Sequence, residues 1–271
     1  HVSGTNRVQH GIHKQQQIRD AEQVKIHEEA AARAREIWEK AKPAPPDHPY
    51  LKKKKIQPHG AKIDSENRLI IPLMDMSGTI KSLERIYPDG QKRFLAGGQK
   101  RGLFYRIPST GQHEGPKIFV EGFATGASIR EALQDNDVVV AFDAGNLHPV
   151  IQAFRNAEPG RVFVIGADND RAKPETEPGY DIGYRKALDA ARAVGNCAIA
   201  MPGTPGQDFN DLAQAEGLGA VRALILEATT PLSEPVTTAA EIWPEPEPLT
   251  PCEKSEPYPL ESLPVTIRNA V

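Results

Sequence analysis

The stretch Arg161-Val-Phe-Val-Ile-Gly-Ala-Asp-Asn-Asp170 runs apolar for six residues and then stops at two acids one position apart. A short continuous run of β-branched and aromatic residues suits a strand covered on both faces. Residues two apart in extended backbone share a side, so Asp168 and Asp170 are expected to present their carboxylates together.

Comparable apolar runs occupy Ile118 to Val120, Val138 to Phe142 and Ala198 to Met201, with helical stretches between them. From Lys117 to about Leu226 this alternation predicts βα units around a mostly parallel sheet, an α/β fold with flanking helices. In such sheets ligands bind beyond the carboxyl ends of the strands, so the strand tips are the candidate site. The first strand ends Val120-Glu121-Gly122, and Pro202-Gly-Thr-Pro-Gly206 after the last leads into Asp208-Phe-Asn-Asp211. Glu121, Asp168, Asp170, Asp208 and Asp211 therefore converge on one edge. Without a counter-charge they would repel and raise one another's pKa values, so a divalent cation is expected. Oxygen-only ligands favour Mg²⁺ or Mn²⁺, which bind through one or two carboxylates plus substrate phosphates. That chemistry points to nucleotides or nucleic acid.

Simpler roles stay open. Asp208 serves equally well as a helix N-cap, and Asp143 as a cap for a helix starting near Asn146. Capping accounts less well for Glu121 with the Asp168/Asp170 pair, because Glu is a weak N-cap. Gly122 and Gly126 are either packing glycines or the means for a phosphate to approach a helix N-terminus.

The remaining sequence divides by composition. Ala30, Ala34, Ile37, Trp38 and Ala41 recur at helical spacing within a helix predicted over Gln15 to Ala41, ended by Pro43-Ala-Pro-Pro46. From Tyr50 to Ile107 short β runs alternate with turns: Leu69 to Leu73, Met76-Ser-Gly78, Ile80 to Ile86, Pro88-Asp-Gly90. Thr229 to Val271 holds nine of the 24 prolines and is expected to be an extended linker. The parts are thus 1–46 helical, 47–115 basic and β-rich, 116–228 α/β and 229–271 linker.

The chain has 271 residues, 39% hydrophobic and 25% charged, enough for a packed core. No apolar stretch approaches the roughly 20 residues that span a bilayer, and no secretory leader is recognisable, so a cytoplasmic location without membrane contact is expected. Cys197 and Cys252 lie far apart and unclustered, which argues against zinc or a disulfide framework. The opening His-Val-Ser-Gly lacks Met, so a longer parent protein is expected. The net charge of −3 conceals a local excess: Lys52 to Arg106 holds thirteen Lys/Arg against five Asp/Glu. Lys81, Arg85, Lys92, Arg93, Lys100 and Arg101 are the expected phosphate contacts, for single-stranded DNA and for nucleoside triphosphates. Lys52 to Lys55 read more simply as a solvated run. Phe94, Phe104 and Tyr105 either stack on bases or fill the core.

These residues resemble a known family. Val120-Glu-Gly-Phe-Ala-Thr125, Ala167-Asp-Asn-Asp170 with Gly179-Tyr-Asp-Ile-Gly183, and Gln207-Asp-Phe-Asn-Asp-Leu212 look like the Toprim domain of bacterial-type DNA primases. Leu69-Ile-Ile-Pro-Leu-Met-Asp75, Ile80 to Arg85, Lys92-Arg-Phe-Leu95 and Gly102-Leu-Phe-Tyr105 look like the β-rich subdomain that precedes Toprim there. Asp47-His-Pro-Tyr-Leu51 and Ala141-Phe-Asp-Ala-Gly-Asn-Leu147 are closer still to the primases of phages, plasmids and integrated mobile elements. Trp243 to Leu249 and Tyr258 to Pro264 look like the lead-in to a helicase-like domain.

The resemblance implies short RNA primers made on single-stranded DNA from nucleoside triphosphates, with a replicative helicase or fused helicase-like domain as partner. It implies Glu121 as general acid/base or metal organiser, Asp168 and Asp170 as the metal-holding pair, and Asp208 with Asp211 completing the site. Two departures stand out. A loop from Arg171 to Pro178 separates the Asp-x-Asp from Gly179, where many primases run straight into a glycine-led helix, and no zinc-binding module for template recognition is present. The same acidic site also serves nucleases and topoisomerases. A topoisomerase tyrosine domain is not recognisable, and a binding module with a vestigial metal site is the remaining alternative.

Overall fold

The computed structural model describes residues 3–107, 109, 111, 115–172 and 182–228, with the side chains of all but 3–13 and 172. The linker segment 229–271, with Cys252, and Gly179 with most of its preceding loop lie outside the described residues.

The chain opens with α1 (Ser3–Lys40), followed by β1 (Lys42–Pro43), α2 (Pro49–Lys54), β2 (Lys62–Ile63), β3 (Leu69–Met74), β4 (Ile80–Ile86) and β5 (Lys92–Phe94). These five strands form an antiparallel sheet in sequential order. α1 starts well before the apolar spacing predicts. Among the described side chains of α1, those of its last turns are the buried ones, Ala30 and Ala34 packing against Ile70, Leu83 and Leu95. Residues 14–29 are almost wholly exposed, so Gln, Glu, Lys and Ala propensity sustains the helix there and leaves no apolar stripe to read.

The second sheet is built from β6 (Tyr105–Ile107), β7 (Lys117–Val120), β8 (Val138–Val140), β9 (Phe163–Gly166) and β10 (Cys197–Ala200), in the order β10-β9-β7-β8-β6. β7 to β10 are parallel, and β6 adds an antiparallel edge. The α/β reading therefore holds. One strand is displaced from the expected place: Tyr105–Ile107, read in sequence as the end of the hairpin-rich part, pairs with β8 instead. Its alternating Tyr-Arg-Ile pattern fits a sheet edge, where Arg106 reaches solvent between two buried neighbours.

The helices α3 (Phe123–Ala132), α4 (Ala144–Ala157), α5 (Ile182–Val194), α6 (Phe209–Glu216) and α7 (Leu218–Glu227) cover this sheet. Alternate strand residues divide between two cores, as period-2 geometry requires. Ile118, Val120, Val138, Val140 and Val164 pack with Phe123, Ile129 and Phe209, and that cluster continues into Leu69, Ile71 and Ile86 of the antiparallel sheet. Phe119, Val139, Phe163 and Ile165 face Leu147, Phe154 and Ala187 on the other side. Cys197 is buried in this second core, and burial raises its thiol to about 12, against the pull of the Arg155 charge, so it is an inert packing residue.

Candidate active site

The tip of β7 carries Glu121 and Gly122, and Gly122 is the N-cap of α3 with no side-chain capping bond. A Cβ at Gly122 would lie in ordinary contact with Thr125 Oγ1 at 3.6 Å and Lys92 Nζ at 3.8 Å. The ammonium of Lys92, from the antiparallel sheet, thus lies at the N-terminal end of a helix in the parallel one.

At the tip of β9 the chain does not continue extended. The strand closes at Gly166, and Asp170 opens a 3₁₀ turn, Asp170–Ala172. The two acids are therefore arranged by a turn and not by strand alternation. Asn169, buried between them, fixes that turn: its Nδ2 donates to the Pro202 carbonyl at 2.9 Å, and its backbone exchanges bonds with Gln207 O and Gly206 N. The loop before Asp208 is thereby tied to the Asp-x-Asp turn. In sequence Asn169 is a departure from the family pattern between the two acids, and its buried amide gives it this work.

The convergence point is marked by Gly183, in the first turn of α5. A Cβ on Gly183 would stand 3.1 Å from the Asp168 carbonyl oxygen, 3.2 Å from Asp170 Oδ2 and 3.4 Å from Glu121 Oε1. Two carboxylates from separate strands and a main-chain oxygen thus surround one small space that only a missing side chain leaves open. Asp168 lines an adjoining cleft of about 300 Å³, together with Lys92, Gly122, Thr125, Tyr50 and Asp208. Tyr50 titrates above its ordinary range because it is buried, with the charges of Glu84 and Asp208 adding to the effect.

Asp208 and Asp211 form a capping box on α6: Asp208 Oδ1 accepts from Asp211 N at 2.8 Å, and Asp208 N donates to Asp211 Oδ2 at 3.3 Å. Asp208 lines the cleft as well, whereas Asp211 does not and lies 4.0 Å from Lys54. Replacing Asp208 with Ala is expected to cost about 1 kcal/mol, read as a lower urea midpoint at unchanged slope.

The six basic residues are not one patch. In β4 and β5, Arg85 stands opposite Arg93, on the sheet face that carries Leu83 and Leu95 toward α1. Lys81 shares a groove with Val24, His27 and Glu28 of α1. Lys92, opposite Ile86, lies on the other face and reaches the cleft. Lys100 pairs with Asp143, the N-cap of α4, and Arg101 is exposed. Asn146 anchors this loop, donating to the Lys100, Leu103 and Ala141 carbonyls while its Oδ1 accepts from Gly102 N at 2.7 Å. Phe104 and Tyr105 are core residues, each 5% exposed, while Phe94 is 38% exposed.

Among the described residues, no three His, Cys, Asp or Glu side chains close into a ready-made metal cage. The oxygen-only donor set around Gly183 still fits a hard divalent cation, because Mg²⁺ keeps several waters and takes only one or two protein carboxylates.

The chain is similar to known proteins in both sequence and fold. Residues 117–219 match the model of the Toprim domain. The DNA primase TraC of Escherichia coli is 35% identical over 194 residues, spanning 70% of this chain and 18% of that protein. A second TraC of the same organism is 35% identical over 185 residues, 67% of this chain and 13% of the relative. The chain thus spans less than a fifth of the curated relatives it matches. Among solved structures, the RNA polymerase domain of the Mycobacterium tuberculosis primase DnaG, in complex with double-stranded DNA, is 15% identical with a TM-score of 0.49, covering 77% of this chain and 81% of that one. The primase fragment of the bacteriophage T7 primase-helicase is 14% identical, also with a TM-score of 0.49, covering 65% and 72%. Residues 117–219 form a Toprim domain, and the chain that carries it is a homologue of the TraC primases.

Proposed function

We propose that this chain is the catalytic core of a primase, a nucleotidyltransferase that assembles short RNA primers on single-stranded DNA. The observation that carries the reading is the meeting of Glu121 and Asp170 around Gly183, beside a cleft lined by Asp168, Lys92 and Gly122, the N-cap of α3. The relatives named DNA primase supply the reaction class.

In the reaction, the 3′-oxygen of one nucleotide bonds to the α-phosphorus of the next. The bond from that phosphorus to the bridging oxygen breaks, pyrophosphate leaves, and the hydroxyl proton passes to a carboxylate or to water. Glu121, Asp168 and Asp170 would hold a Mg²⁺ or Mn²⁺ ion, which supplies activation of the attacking oxygen and neutralisation of the leaving group. The α3 N-terminus and Lys92 bind phosphate oxygens: unsatisfied N–H groups and the helix dipole favour an anion, and the lysine adds a full charge. Gly122 lets the phosphate approach the backbone. Asp208 holds α6 in place and borders the cleft. Lys100 and Arg101 extend the positive surface beyond it, while Arg85, Arg93 and Lys81 give the outer face of the antiparallel sheet a second basic surface for the backbone of the template. On this reading residues 47–115 handle template, residues 116–228 carry the chemistry, and a helicase, separate or fused, delivers the strand in the cytoplasm.

The test is direct. The chain, incubated with single-stranded DNA, labelled ribonucleotides and Mg²⁺ or Mn²⁺, is expected to yield short labelled oligomers. Shortening of the DNA without synthesis would make it a nuclease, and DNA binding with neither product would make it a non-catalytic module.

A further inference from the structure

One aromatic ring, two residues beyond the cleft-lining Lys92, has no role in the chemistry above. Phe94 ends β5 and stands opposite Glu84 of β4, so its side chain shares the sheet face of Glu84, Ile86 and Lys92, the face directed at the Toprim strand tips. It is 38% exposed, against 5% for Phe104 and for Tyr105, so burial does not explain it. Its partner is Phe142, just past the end of β8, whose ring meets it edge-on at 6.1 Å and 78°. Phe142 holds a backbone φ of +72°. A bulky side chain rarely adopts that left-handed conformation, which is strained and recurs at ligand-binding positions. The strained turn directs one ring against the other where the two sheets approach.

Charge surrounds this pair. Lys100 Nζ lies 5.1 Å from the Phe94 ring centroid and pairs with Asp143, which follows Phe142. Lys92, two residues before Phe94, reaches the phosphate-binding end of α3. Glu84 is buried on the same sheet face, and burial pushes its carboxyl above the ordinary range against the pull of the Lys92 and Lys100 charges. A half-exposed ring in T-shaped contact with a second ring, with one ammonium over it and another nearby, has the elements with which single-stranded nucleic acids are held, bases stacking on rings while phosphates pair with lysines.

We propose that Phe94 is a stacking platform for a nucleobase, with Phe142 bracing the ring and Lys92 and Lys100 taking the adjoining phosphates. This rests on reading the cleft as a nucleotide-handling site. The base belongs either to the single strand or to the incoming nucleotide, and two binding measurements separate them. In one, a labelled single strand of about 12 nucleotides, within the span such grooves cover, is titrated without nucleotide. In the other, a fluorescent ATP analogue is titrated without DNA.

Phe94→Leu keeps the apolar contact with Phe142 and removes the ring. It is expected to weaken one of the two ligands about five- to 150-fold, the range that a single lost aromatic–base stack spans. A loss confined to DNA assigns the strand's base, and a loss confined to the analogue assigns the incoming nucleotide. Phe94→Tyr is expected to bind as the parent does. In Phe94→Trp the new indole is expected to be quenched on adding the affected ligand, a signal that a purely structural ring would not give. Unchanged affinity for both ligands in Phe94→Leu, or equal weakening in Phe94→Leu and Phe94→Tyr, overturns the platform. Both binding assays read independently of synthesis. A parent chain that makes no primers yet loses affinity in Phe94→Leu would overturn the primase reading alone.

Discussion

Gly183→Ala is expected to reduce oligomer synthesis about tenfold while leaving the chain folded. The new methyl would stand 3.1 Å from the Asp168 carbonyl oxygen and 3.2 Å from Asp170 Oδ2, closer than carbon and oxygen settle, with Glu121 Oε1 at 3.4 Å. The Asp168 carbonyl and the Asp170 carboxylate must give by a few tenths of an ångström, and since a misplacement of about 1 Å at a reacting centre can cost about 10²-fold in rate, a loss of about tenfold is expected. The fold has no comparable reason to suffer, since Ala is the better helix former within α5. The melting temperature is therefore expected to stay within about 4 °C of the parent, the shift that ~1 kcal/mol produces in a chain of this size. Affinity for single-stranded DNA is expected to be unchanged, because the Lys92 and Phe94 side of the cleft is untouched. Glu121→Gln and Asp168→Asn, assayed beside it, are expected to lose at least as much synthesis and likewise to keep DNA binding. Parental activity in Gly183→Ala would show that nothing essential occupies the space between these oxygens, and the proposed site would have to be abandoned.

How much of this was legible in the sequence depends on which pattern each residue belongs to. The runs at Lys117–Val120, Val138–Val140, Phe163–Gly166 and Cys197–Ala200 are near-continuously apolar because both faces of a parallel sheet are covered, and that signal is strong. Acids placed directly after such runs stand at the strand tips by construction, which made Glu121 and the Asp168/Asp170 pair readable. What the sequence concealed came from alternation and from long-range bonds. Arg85 and Arg93 join Lys92 in a count of charges, yet a one-residue offset puts them on the opposite face of the sheet from Lys92. That division follows from the position of Leu83 and Leu95 in the core with Ala30 and Ala34, and parity with those residues was the signal available. Asn169 and Gly183 carried none, because each owes its role to residues far away in sequence: Pro202 and Gln207 for the amide, Glu121 for the glycine. The short strand β6 looked like its neighbours in the hairpin-rich part, and only pairing with β8 assigns it elsewhere.

At the opposite end of the same strands, Asp137→Ala is expected to destabilise the chain by about 3–5 kcal/mol, the usual cost of leaving a buried charge without its partner. Asp137 precedes β8 with no exposed surface, and its Oδ2 accepts from Arg106 at 2.9 Å. The ammonium of Lys117, 2% exposed at the start of β7, lies 3.5 Å from the same oxygen and 2.6 Å from Glu158, above the Phe154 ring. Arg161 completes the cluster, 2.9 Å from Glu158 and 3.6 Å from Asp137. Without Asp137 the buried lysine keeps only Glu158, which is partly open to solvent, and a melting temperature lower by roughly 10 °C follows. Asp137→Asn keeps the size and one accepting oxygen and is expected to lose less. The cluster also gives the parent chain an acid dependence with a definite sign. Burial works to raise the Glu158 carboxyl, but hydrogen bonds from Lys117 and Arg161 outweigh it and hold the group below its ordinary value of 4.5. A carboxyl held down in the folded chain contributes stability above its unfolded pKa and loses it as pH falls through the lower folded value. Glu158→Gln is therefore expected to be less stable than the parent at neutral pH, with the gap closing below about pH 4.5 in urea unfolding. Because the cluster closes the amino ends of β7 and β8 while Glu121 and Asp168 extend past the carboxyl ends of β7 and β9, neither substitution should change synthesis per folded molecule at low temperature. A loss of activity in chain that remains folded would instead show that the ends of the sheet are coupled, and that the ion cluster sets the geometry of the cleft.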